Sequence, residues 1–196
     1  MDINSTGNID LLVKNFLKGD RKAFEKVYKL YHPLLYNYGC QFRIDSSVVD
    51  DFIQDIFIDI WNSRERLNIK QLKPYLFKCL RNKLTKQLAK EVKEKDKAEK
   101  YWREEFEISY DPASLGIDTE NKTELEKKLA ACIEELSPRQ RELIFLIFYN
   151  DMSYIDAADV LKIKIKTAYN QIHNSISTLR KSLLFVYLGF GLFQYL

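Results

Sequence analysis

The sequence predicts an all-α fold, made of two small helical domains joined by a flexible linker. Apolar residues recur at helical spacing through most of the 196 residues. With only 6 glycines and 4 prolines, the chain lacks the frequent turns of an all-β protein. Between Ser109 and Asn121 the periodicity stops and Pro, Gly, Ser and Asp accumulate, which is typical of a linker.

Five helical segments are predicted before the linker. Gly19 ends the first segment, and Asp20 is the N-cap of the second. Pro33 is predicted at a kink or in the first turn of the third segment, and Ser46 or Ser47 can cap the fourth. The segments are Asn8–Leu17, Arg21–Tyr31, Leu34–Phe42, Val48–Ser63 and Leu72–Ala89.

The segment Val48–Ser63 separates apolar and acidic side chains onto two faces of a helix. Its apolar face comprises Phe52, Ile53, Ile56, Phe57, Ile60 and Trp61. Its acidic face comprises Asp51, Gln54, Asp55, Asp59 and Asn62, with Ile58 as the apolar exception.

The acidic face has three interpretations. Carboxylates one turn apart could bind a divalent cation or act as acid and base, but no His, Cys or Gly-rich loop accompanies them. The face could also be merely solvated. Because adjacent acids repel one another, the more economical interpretation is a docking surface for a basic partner.

The segment Leu72–Ala89 is amphipathic, with a basic outer face. Its inward side chains are Leu76 or Phe77, Leu80, Leu84 and Leu88. Its outer side chains are Arg81, Lys83, Lys86 and Lys90, with no acid among them. Charges of both signs alternate from Glu91 to Arg103, as in a solvated helix end.

Four helical segments are predicted after the linker. Ser137 and Gln140, with Pro138 between them, form a capping box for the second of these, and Ser153 caps the third. The segments are Thr123–Glu135, Arg139–Tyr149, Tyr154–Leu161 and Ile165 to about Leu183.

The last two segments, joined by Lys162–Lys164, predict a helix-turn-helix. In this motif the first helix braces the second, which enters the major groove of DNA. The brace is predicted to bury Ile155, Ala158, Val160 and Leu161, and the groove helix to be held by Ile172, Ile176 and Leu179. The residues predicted to meet DNA are Lys164, Lys166, Thr167, Tyr169, Asn170, His173 and Asn174.

The charge distribution supports this interpretation. Residues 160–196 contain five Lys and Arg and no Asp or Glu, whereas the whole chain has a net charge of only +3, so residues 1–159 carry −2. A helix that offers cations and amides without carboxylates is suited to phosphates. The alternative is an ordinary solvated surface helix, although such helices normally mix both signs.

Several classes of protein are excluded or disfavoured. The three cysteines are far apart and odd in number, and the two histidines are too sparse for a metal site. No P-loop, dinucleotide fingerprint or nucleophile elbow is present, so we expect no catalytic residue, no cofactor, no metal and no small-molecule substrate. Reduced cysteines and the lack of a signal-peptide pattern predict a cytoplasmic protein.

Taken together, these segments resemble the extracytoplasmic-function (ECF) sigma factors of bacterial RNA polymerase, of the sigma-70 family, over about residues 10–90 and 123–181. Gly19-Asp20, Ala23-Phe24, Tyr28, Tyr31 and Pro33 are similar to the start of sigma region 2. Asp51–Phe57 with Trp61 is similar to the family's core-polymerase-binding helix. Pro74–Phe77 with Arg81-Asn82 is similar to the segment that opens DNA and reads the −10 element, and Leu136–Arg180 to region 4, which reads the −35 element.

The resemblance implies a domain layout and a set of partners. It implies a region 2-like domain (1–103), a linker (104–122), a region 4-like helix-turn-helix domain (123–182) and an apolar tail (183–196). The implied partners are the bacterial RNA polymerase core enzyme, promoter DNA and an anti-sigma factor, with no enzymatic activity. In the family the core-binding face docks on a coiled coil of the largest polymerase subunit.

Each partner is implied to meet its own set of residues. The core-binding residues would be Asp51, Gln54, Asp55 and Asp59. The −10-binding residues would be Tyr75, Arg81, Asn82, Lys83 and Lys86. The −35-binding residues would be Lys164, Lys166, Thr167, Tyr169, Asn170, His173 and Asn174.

The chain departs from the family pattern at several positions. The family commonly has an acidic residue and an arginine where Lys86 and Ala89 stand here. Lys162 replaces the glycine of the helix-turn-helix turn, and Lys164 replaces the usual serine cap. The base preference at both promoter elements therefore remains open.

Two other functions and the role of the tail also remain open. A helix-turn-helix regulator could bind duplex DNA as a dimer without joining a polymerase, and a membrane-associated interaction protein would rest only on the apolar tail. The tail Leu183–Leu196 is too short to span a bilayer. It is predicted to extend the last helix and fold back on the chain or meet an inhibitory partner, or else to complete the core of the second domain.

Overall fold

The computed structural model describes residues 6–67, 69, 71–93 and 131–193, with only the backbone described at 6–8, 91–93 and 182–193. Within these ranges all regular structure is helical, which confirms the predicted all-α fold. The chain divides into two compact units, Met1–Glu94 and Lys95–Leu196. The predicted linker and residues 123–130 lie outside the described ranges, whereas residues 131–134 are helical.

The first unit contains four α-helices. They are α1 (Thr6–Leu17), α2 (Arg21–Gly39), α3 (Ser46–Ser63) and α4 (Leu72–Lys93). Helix α2 packs against the other three, and α3 packs against α4.

Helix α2 is longer than predicted. Pro33 lies inside it, and the helix continues from Arg21 to Gly39 rather than restarting at Leu34. The segment Cys40–Phe42, predicted as α-helix, is a 3₁₀ turn that ends at Arg43, whose backbone is left-handed with φ 51°. Buried residues on both sides of Pro33, such as Tyr31 and Leu35, keep the helix continuous where local propensity favours a break.

The N-caps of α2 and α3 are both aspartates. The Asp20 carboxylate accepts hydrogen bonds from the backbone N–H groups of Lys22 at 2.8 Å and Ala23 at 3.3 Å, as predicted. The prediction that Ser46 or Ser47 caps α3 is wrong, because Asp45 caps it and accepts from the Ser47 backbone N–H at 2.8 Å. Asp45 has the extended ψ of a cap, 132°, so the helix begins two residues earlier than expected.

The core of the first unit is built from the apolar stripes of all four helices. Phe57 of α3 is 1% exposed, and its ring meets Phe24 and Tyr28 of α2. Trp61 packs on Phe16 and Phe24 at centroid distances of 6.3 and 5.1 Å. Ile58 is 55% exposed, as its place on the acidic face predicts. These contacts fix the rotation of α3, so its acidic face points outward.

Besides the helical residues 131–134, the described part of the second unit contains three α-helices and one π-helical turn. They are α5 (Pro138–Ile144), the π turn (Phe145–Tyr149), α6 (Tyr154–Leu161) and α7 (Ile165–Phe193).

The caps of the second unit are formed as predicted. The capping box is present: the Ser137 hydroxyl accepts from the Gln140 N–H, and the Gln140 side chain accepts from the Ser137 N–H at 2.9 Å. The hydroxyl of Ser153 likewise accepts from the Asp156 N–H. The segment Arg139–Tyr149, predicted as a single α-helix, instead ends in the π turn. The Asn150 side chain donates a hydrogen bond to the Phe145 carbonyl of this turn at 3.1 Å.

Two predicted core residues of the helix-turn-helix are exposed. Ile155 is 66% exposed, because the buried stripe of α6 runs through Ala157, Ala158 and Leu161 and leaves Ile155 on the outer side. Ile176 is 40% exposed, and Ser175 takes its place in the buried stripe of α7 with Ala168 and Ile172. The Ser175 hydroxyl donates to the Gln171 carbonyl at 2.7 Å, so the buried hydroxyl is satisfied.

The last helix continues beyond its predicted end. Helix α7 runs to Phe193, so the first part of the tail extends it as expected. The tail's side chains, and residues 194–196, lie outside the described residues. Among the described helices, none is both long enough and apolar enough to cross a membrane.

Candidate docking and nucleic-acid-binding surfaces

The predicted docking residues lie together on the outer face of α3. Asp51, Asp55 and Asp59 follow one another at intervals of one turn, and Gln54 lies between them. All four side chains are exposed. We refer to these four residues as the docking surface.

A hydrogen-bonded chain behind the docking surface involves two residues that the sequence did not reveal. His32 of α2 contacts Asp50 of α3, with 2.6 Å between Nε2 and Oδ1. The other carboxylate oxygen of Asp50 accepts from the Gln54 Nε2 at 3.0 Å. His32 and Asp50 are 18 positions apart and on different helices, so no periodicity in the sequence pairs them.

The docking surface also touches the residues predicted to bind the −10 element. Lys83 of α4 lies 3.0 Å from Asp55, between Nζ and Oδ2, and 5.7 Å from the centre of the Phe52 ring. The two charged side chains are 31% and 57% exposed. An ion pair this open to water contributes about 0–1 kcal/mol to stability. Lys83 or Asp55 can therefore leave this pair and bind an opposite charge on another molecule.

The outer face of α4 carries the other predicted −10 residues. Arg81, Asn82 and Tyr75 are half-buried, whereas Lys86 is exposed. Burial, and then the neighbouring Cys79, raise the pKa of the Tyr75 hydroxyl, which therefore stays neutral. The face thus combines a neutral aromatic group with cationic and amide donors.

The predicted −35 residues lie at the N-cap of α7, which is Lys164, and on the first turns of that helix. Lys164, Lys166, Tyr169, Asn170, His173 and Asn174 are all exposed, and Thr167 is half-buried. The structure therefore brings this predicted set together on one accessible surface, while Ile172 on the opposite side anchors the helix at 1% exposure.

Tyr169 is held by a neighbour that the sequence did not indicate. Its ring stacks on that of Tyr154 at the start of α6, with centroids 4.4 Å apart and planes 8° from parallel. Tyr169 remains 52% exposed. The stack fixes an aromatic group beside Asn170 on the exposed surface of α7.

The turn between α6 and α7 carries two lysines where smaller residues would be easier to place. Lys162 ends α6 in the left-handed conformation, with φ 55° and ψ 44°. The Lys164 carbonyl accepts from the N–H groups of Thr167 and Ala168, so Lys164 stands at the N-cap of α7. A lysine side chain cannot accept the hydrogen bonds that a capping serine would. Both lysines instead place positive charge at the N-terminus of a helix that is suited to bind anions.

We expect Lys162→Gly to stabilise the second unit. A left-handed non-glycine residue costs roughly 1–2 kcal/mol, and the extra flexibility of glycine offsets about half of that, which leaves a gain of about 0.5–1 kcal/mol in the free energy of unfolding. Urea denaturation measures it. Lys162→Ala is the control, because it removes the charge but keeps the left-handed strain. A Gly variant no more stable than the Ala variant would contradict this account.

The described residues contain no group of three or more His, Cys, Asp and Glu able to hold a metal ion.

The described helices define an all-α protein whose second unit is a helix-turn-helix, the class that places one helix in a DNA groove.

Comparison with known proteins narrows this class. Residues 27–94 match the model of sigma-70 region 2, and residues 126–179 match that of sigma-70 region 4. The ECF RNA polymerase sigma factor SigK of Mycolicibacterium vanbaalenii is 22% identical, over 91% of this chain and 90% of its own length. The RNA polymerase sigma factor NccH of Alcaligenes xylosoxydans xylosoxydans is 25% identical, over 83% of this chain and 88% of its own length.

Two solved structures share the fold. The structure of CnrH in complex with the cytosolic domain of CnrY matches with a TM-score of 0.57 and 21% identity, over 88% of this chain and 95% of that one. The sigma factor RpoE, in complex with the anti-sigma factor NepR from Bartonella quintana, matches with a TM-score of 0.57 and 23% identity, over 83% of this chain and 97% of that one. The chain therefore belongs to the ECF group of the sigma-70 family, and it is a promoter-directing RNA polymerase sigma factor.

Proposed function

We propose that the protein brings RNA polymerase core enzyme to promoter DNA through three surfaces. The docking surface on α3 holds the core enzyme, the outer face of α4 binds the −10 element, and the first turns of α7 bind the −35 element. The observation that carries the proposal is the separation of charge. Exposed carboxylates lie in a row on α3, whereas α7 has none anywhere along its length.

The docking surface is suited to a basic protein partner. The carboxylates of Asp51, Asp55 and Asp59 supply hydrogen-bond acceptors, and one of the two N–H donors of Gln54 Nε2 is already bonded to Asp50. A partner therefore meets mainly acceptors, which arginine and lysine side chains complement. Ile58, exposed on the same helix, adds an apolar contact beside them.

The outer face of α4 is suited to a DNA strand that has left the duplex. Tyr75 offers a neutral ring on which a base can stack. Lys86 and Lys83 can meet phosphates, and Asn82 can bond to the edge of a base. When a basic residue of the polymerase takes Asp55, Lys83 becomes available to DNA.

The first turns of α7 are suited to the major groove. Lys164 and Lys166 can contact phosphates, while Asn170 and Asn174 can bond to the edges of adenines. The stack on Tyr154 orients Tyr169 before DNA arrives, which lowers the entropic cost of that contact.

The same proposal covers the layout and the other partners. The layout is a region 2-like domain at 1–103 and a region 4-like domain at 123–182, joined by the linker 104–122. Because the linker ties the two domains together, two weak DNA contacts become one tight contact through effective concentration. The protein works by binding alone, in the cytoplasm. An anti-sigma factor is its inhibitory partner, as NepR is the anti-sigma factor bound to RpoE in the neighbouring structure.

We expect two residues of α7 to differ in how they affect DNA binding. Lys166→Ala should lower affinity for all sequences and reduce the salt dependence by about one unit of log–log slope. Asn170→Ala should relax base preference at one position, at about 1–3 kcal/mol. Binding of the holoenzyme to a set of −35 variants at several salt concentrations separates the two effects.

A matched control is available on the same helix. Arg180→Ala removes one exposed cation far from the first turns of α7. It should leave both the slope and the base preference unchanged. Equal slopes for Lys166→Ala and Arg180→Ala would contradict the assignment of α7.

Co-purification with core polymerase distinguishes a sigma factor from a helix-turn-helix regulator. A sigma factor binds core enzyme in the absence of DNA, and a regulator does not. Capture of core polymerase subunits by the purified chain at physiological salt is expected. Failure of capture, together with dimeric binding to duplex DNA, would overturn the proposal.

A further inference from the structure

A short chain of hydrogen bonds connects helix α2 to the docking surface. His32 Nε2 lies 2.6 Å from one oxygen of Asp50, and Gln54 Nε2 lies 3.0 Å from the other. Both oxygens of Asp50 are therefore engaged within the protein. Asp50 differs in this from its neighbour Asp51, which is exposed on the docking surface.

The ring of His32 is itself held in place. It lies between Tyr28 and Tyr36, with ring centroids 5.0 and 6.1 Å away, and is nearly parallel to Tyr36 at 13°. The His32 and Asp50 side chains are 26% and 38% exposed. Packing on both sides of the ring limits where His32 can place Nε2, which in turn fixes the Asp50 carboxylate.

We propose that His32 is a positioning residue of the docking surface, acting through Asp50 to fix the side chain of Gln54. With one N–H of Nε2 bonded to Asp50, the Gln54 amide is held in one orientation, which fixes where its carbonyl oxygen and its second N–H can meet a partner. The surface then presents the carboxylates of Asp51 and Asp55 beside a Gln54 carbonyl oxygen that is already in place. The partner it selects is a cationic, donor-rich protein surface. This inference rests on the proposed docking of core polymerase on α3.

The benefit to binding is preorganisation. A free glutamine side chain samples many rotamers and can turn either its amide donor or its acceptor outward. Turning the donor outward would set it against an arginine or lysine of the partner. Fixing one such side chain in advance corresponds to a two- to tenfold gain in affinity, as an order-of-magnitude estimate.

The test is a double-mutant cycle on core-polymerase affinity with the full chain. His32→Phe keeps an aromatic ring but removes the hydrogen bond, and it should weaken core binding by about two- to tenfold. His32→Gln restores a donor and should bind close to wild type. In a Gln54→Ala background, His32→Phe should have no further effect.

Controls separate positioning from folding. Lys29→Ala removes an exposed ion pair from the same helix and should leave core affinity unchanged. Asp50→Ala changes a more exposed position and serves as a second test if His32→Phe does not fold. It should weaken core binding as much as His32→Phe does, and it should have no further effect in the Gln54→Ala background. A His32→Phe chain that binds core as wild type does, or one whose loss persists in the Gln54→Ala background, would overturn the inference.

Failure of this inference can be distinguished from failure of the proposed function. If Asp51→Ala with Asp55→Ala binds core normally, α3 is not the docking helix and both proposals fail. If that double variant loses binding while His32→Phe and Asp50→Ala keep it, the docking surface stands and only the role of His32 fails.

Discussion

Phe57→Ala is expected to unfold the first unit, at a cost of about 3–5 kcal/mol in the free energy of unfolding. Phe57 is 1% exposed, and its ring meets those of Phe24 at 6.1 Å and Tyr28 at 4.9 Å, both edge-on. Truncation leaves a cavity where α2 and α3 meet. Because a whole domain is stable by only about 5–15 kcal/mol, this loss is enough to populate the unfolded state. Thermal unfolding followed by circular dichroism measures it.

The neighbouring residue provides the control for this loss. Ile58 follows Phe57 on the same helix but is 55% exposed. Ile58→Ala should change the free energy of unfolding by no more than about 0.5 kcal/mol. A similar loss of stability in both variants would show that α3 is not rotated as described.

Asp51→Ala combined with Asp55→Ala is expected to abolish tight core binding without unfolding the chain. Removing a charge from a desolvated ion pair across an interface costs about 2 kcal/mol or more, roughly 30-fold in affinity. Both residues are exposed, so helicity should be retained. The loss of Asp55 also frees Lys83, so binding of the free chain to a −10 oligonucleotide should be unchanged or stronger. Titration with labelled core polymerase measures the main effect.

A second double variant controls for net charge. Glu25→Ala with Glu65→Ala removes two exposed acids from the same unit but outside the docking surface. It should bind core within about threefold of wild type, since exposed charges of this kind contribute little. Equal losses for the two double variants would indicate a general electrostatic effect rather than a docking site.

Features that depend on a few neighbouring residues could be predicted from the sequence. The cap at Asp20 and the capping box at Ser137 and Gln140 are local, and each forms as expected. The amphipathic pattern of α3 also placed Phe57 inside and Ile58 outside correctly. In these cases the residue types themselves determine the structure.

Features that depend on tertiary packing could not be predicted. Ile155 and Ile176 are apolar and at helical spacing from buried residues, yet the way α6 and α7 cross leaves them exposed. Likewise, α2 passes through Pro33 because contacts with other helices favour one continuous element. Periodicity gives the approximate direction of a face, but the neighbouring helix decides which edge of it is buried.

The candidate sites were predictable only as sets of residues on single helices. The exposed rows on α3 and α7 follow from spacing and charge. Contacts between helices carried no sequence signal: His32 with Asp50, Lys83 with Asp55, and Tyr154 with Tyr169. These contacts link the predicted surfaces to their surroundings, and the ion pair of Lys83 with Asp55 joins α4 to α3.

Run-off transcription with purified core polymerase measures directly whether the chain directs initiation from specific promoters. Core enzyme alone and core enzyme with the chain are compared on a library of templates that vary at two elements. If the chain is a sigma factor, specific transcripts should appear only when it is present and should start at fixed positions. Their amount should depend on both elements and on the spacing between them. If the chain bound duplex DNA on its own and added no specific transcript to those of core enzyme, the account would be contradicted.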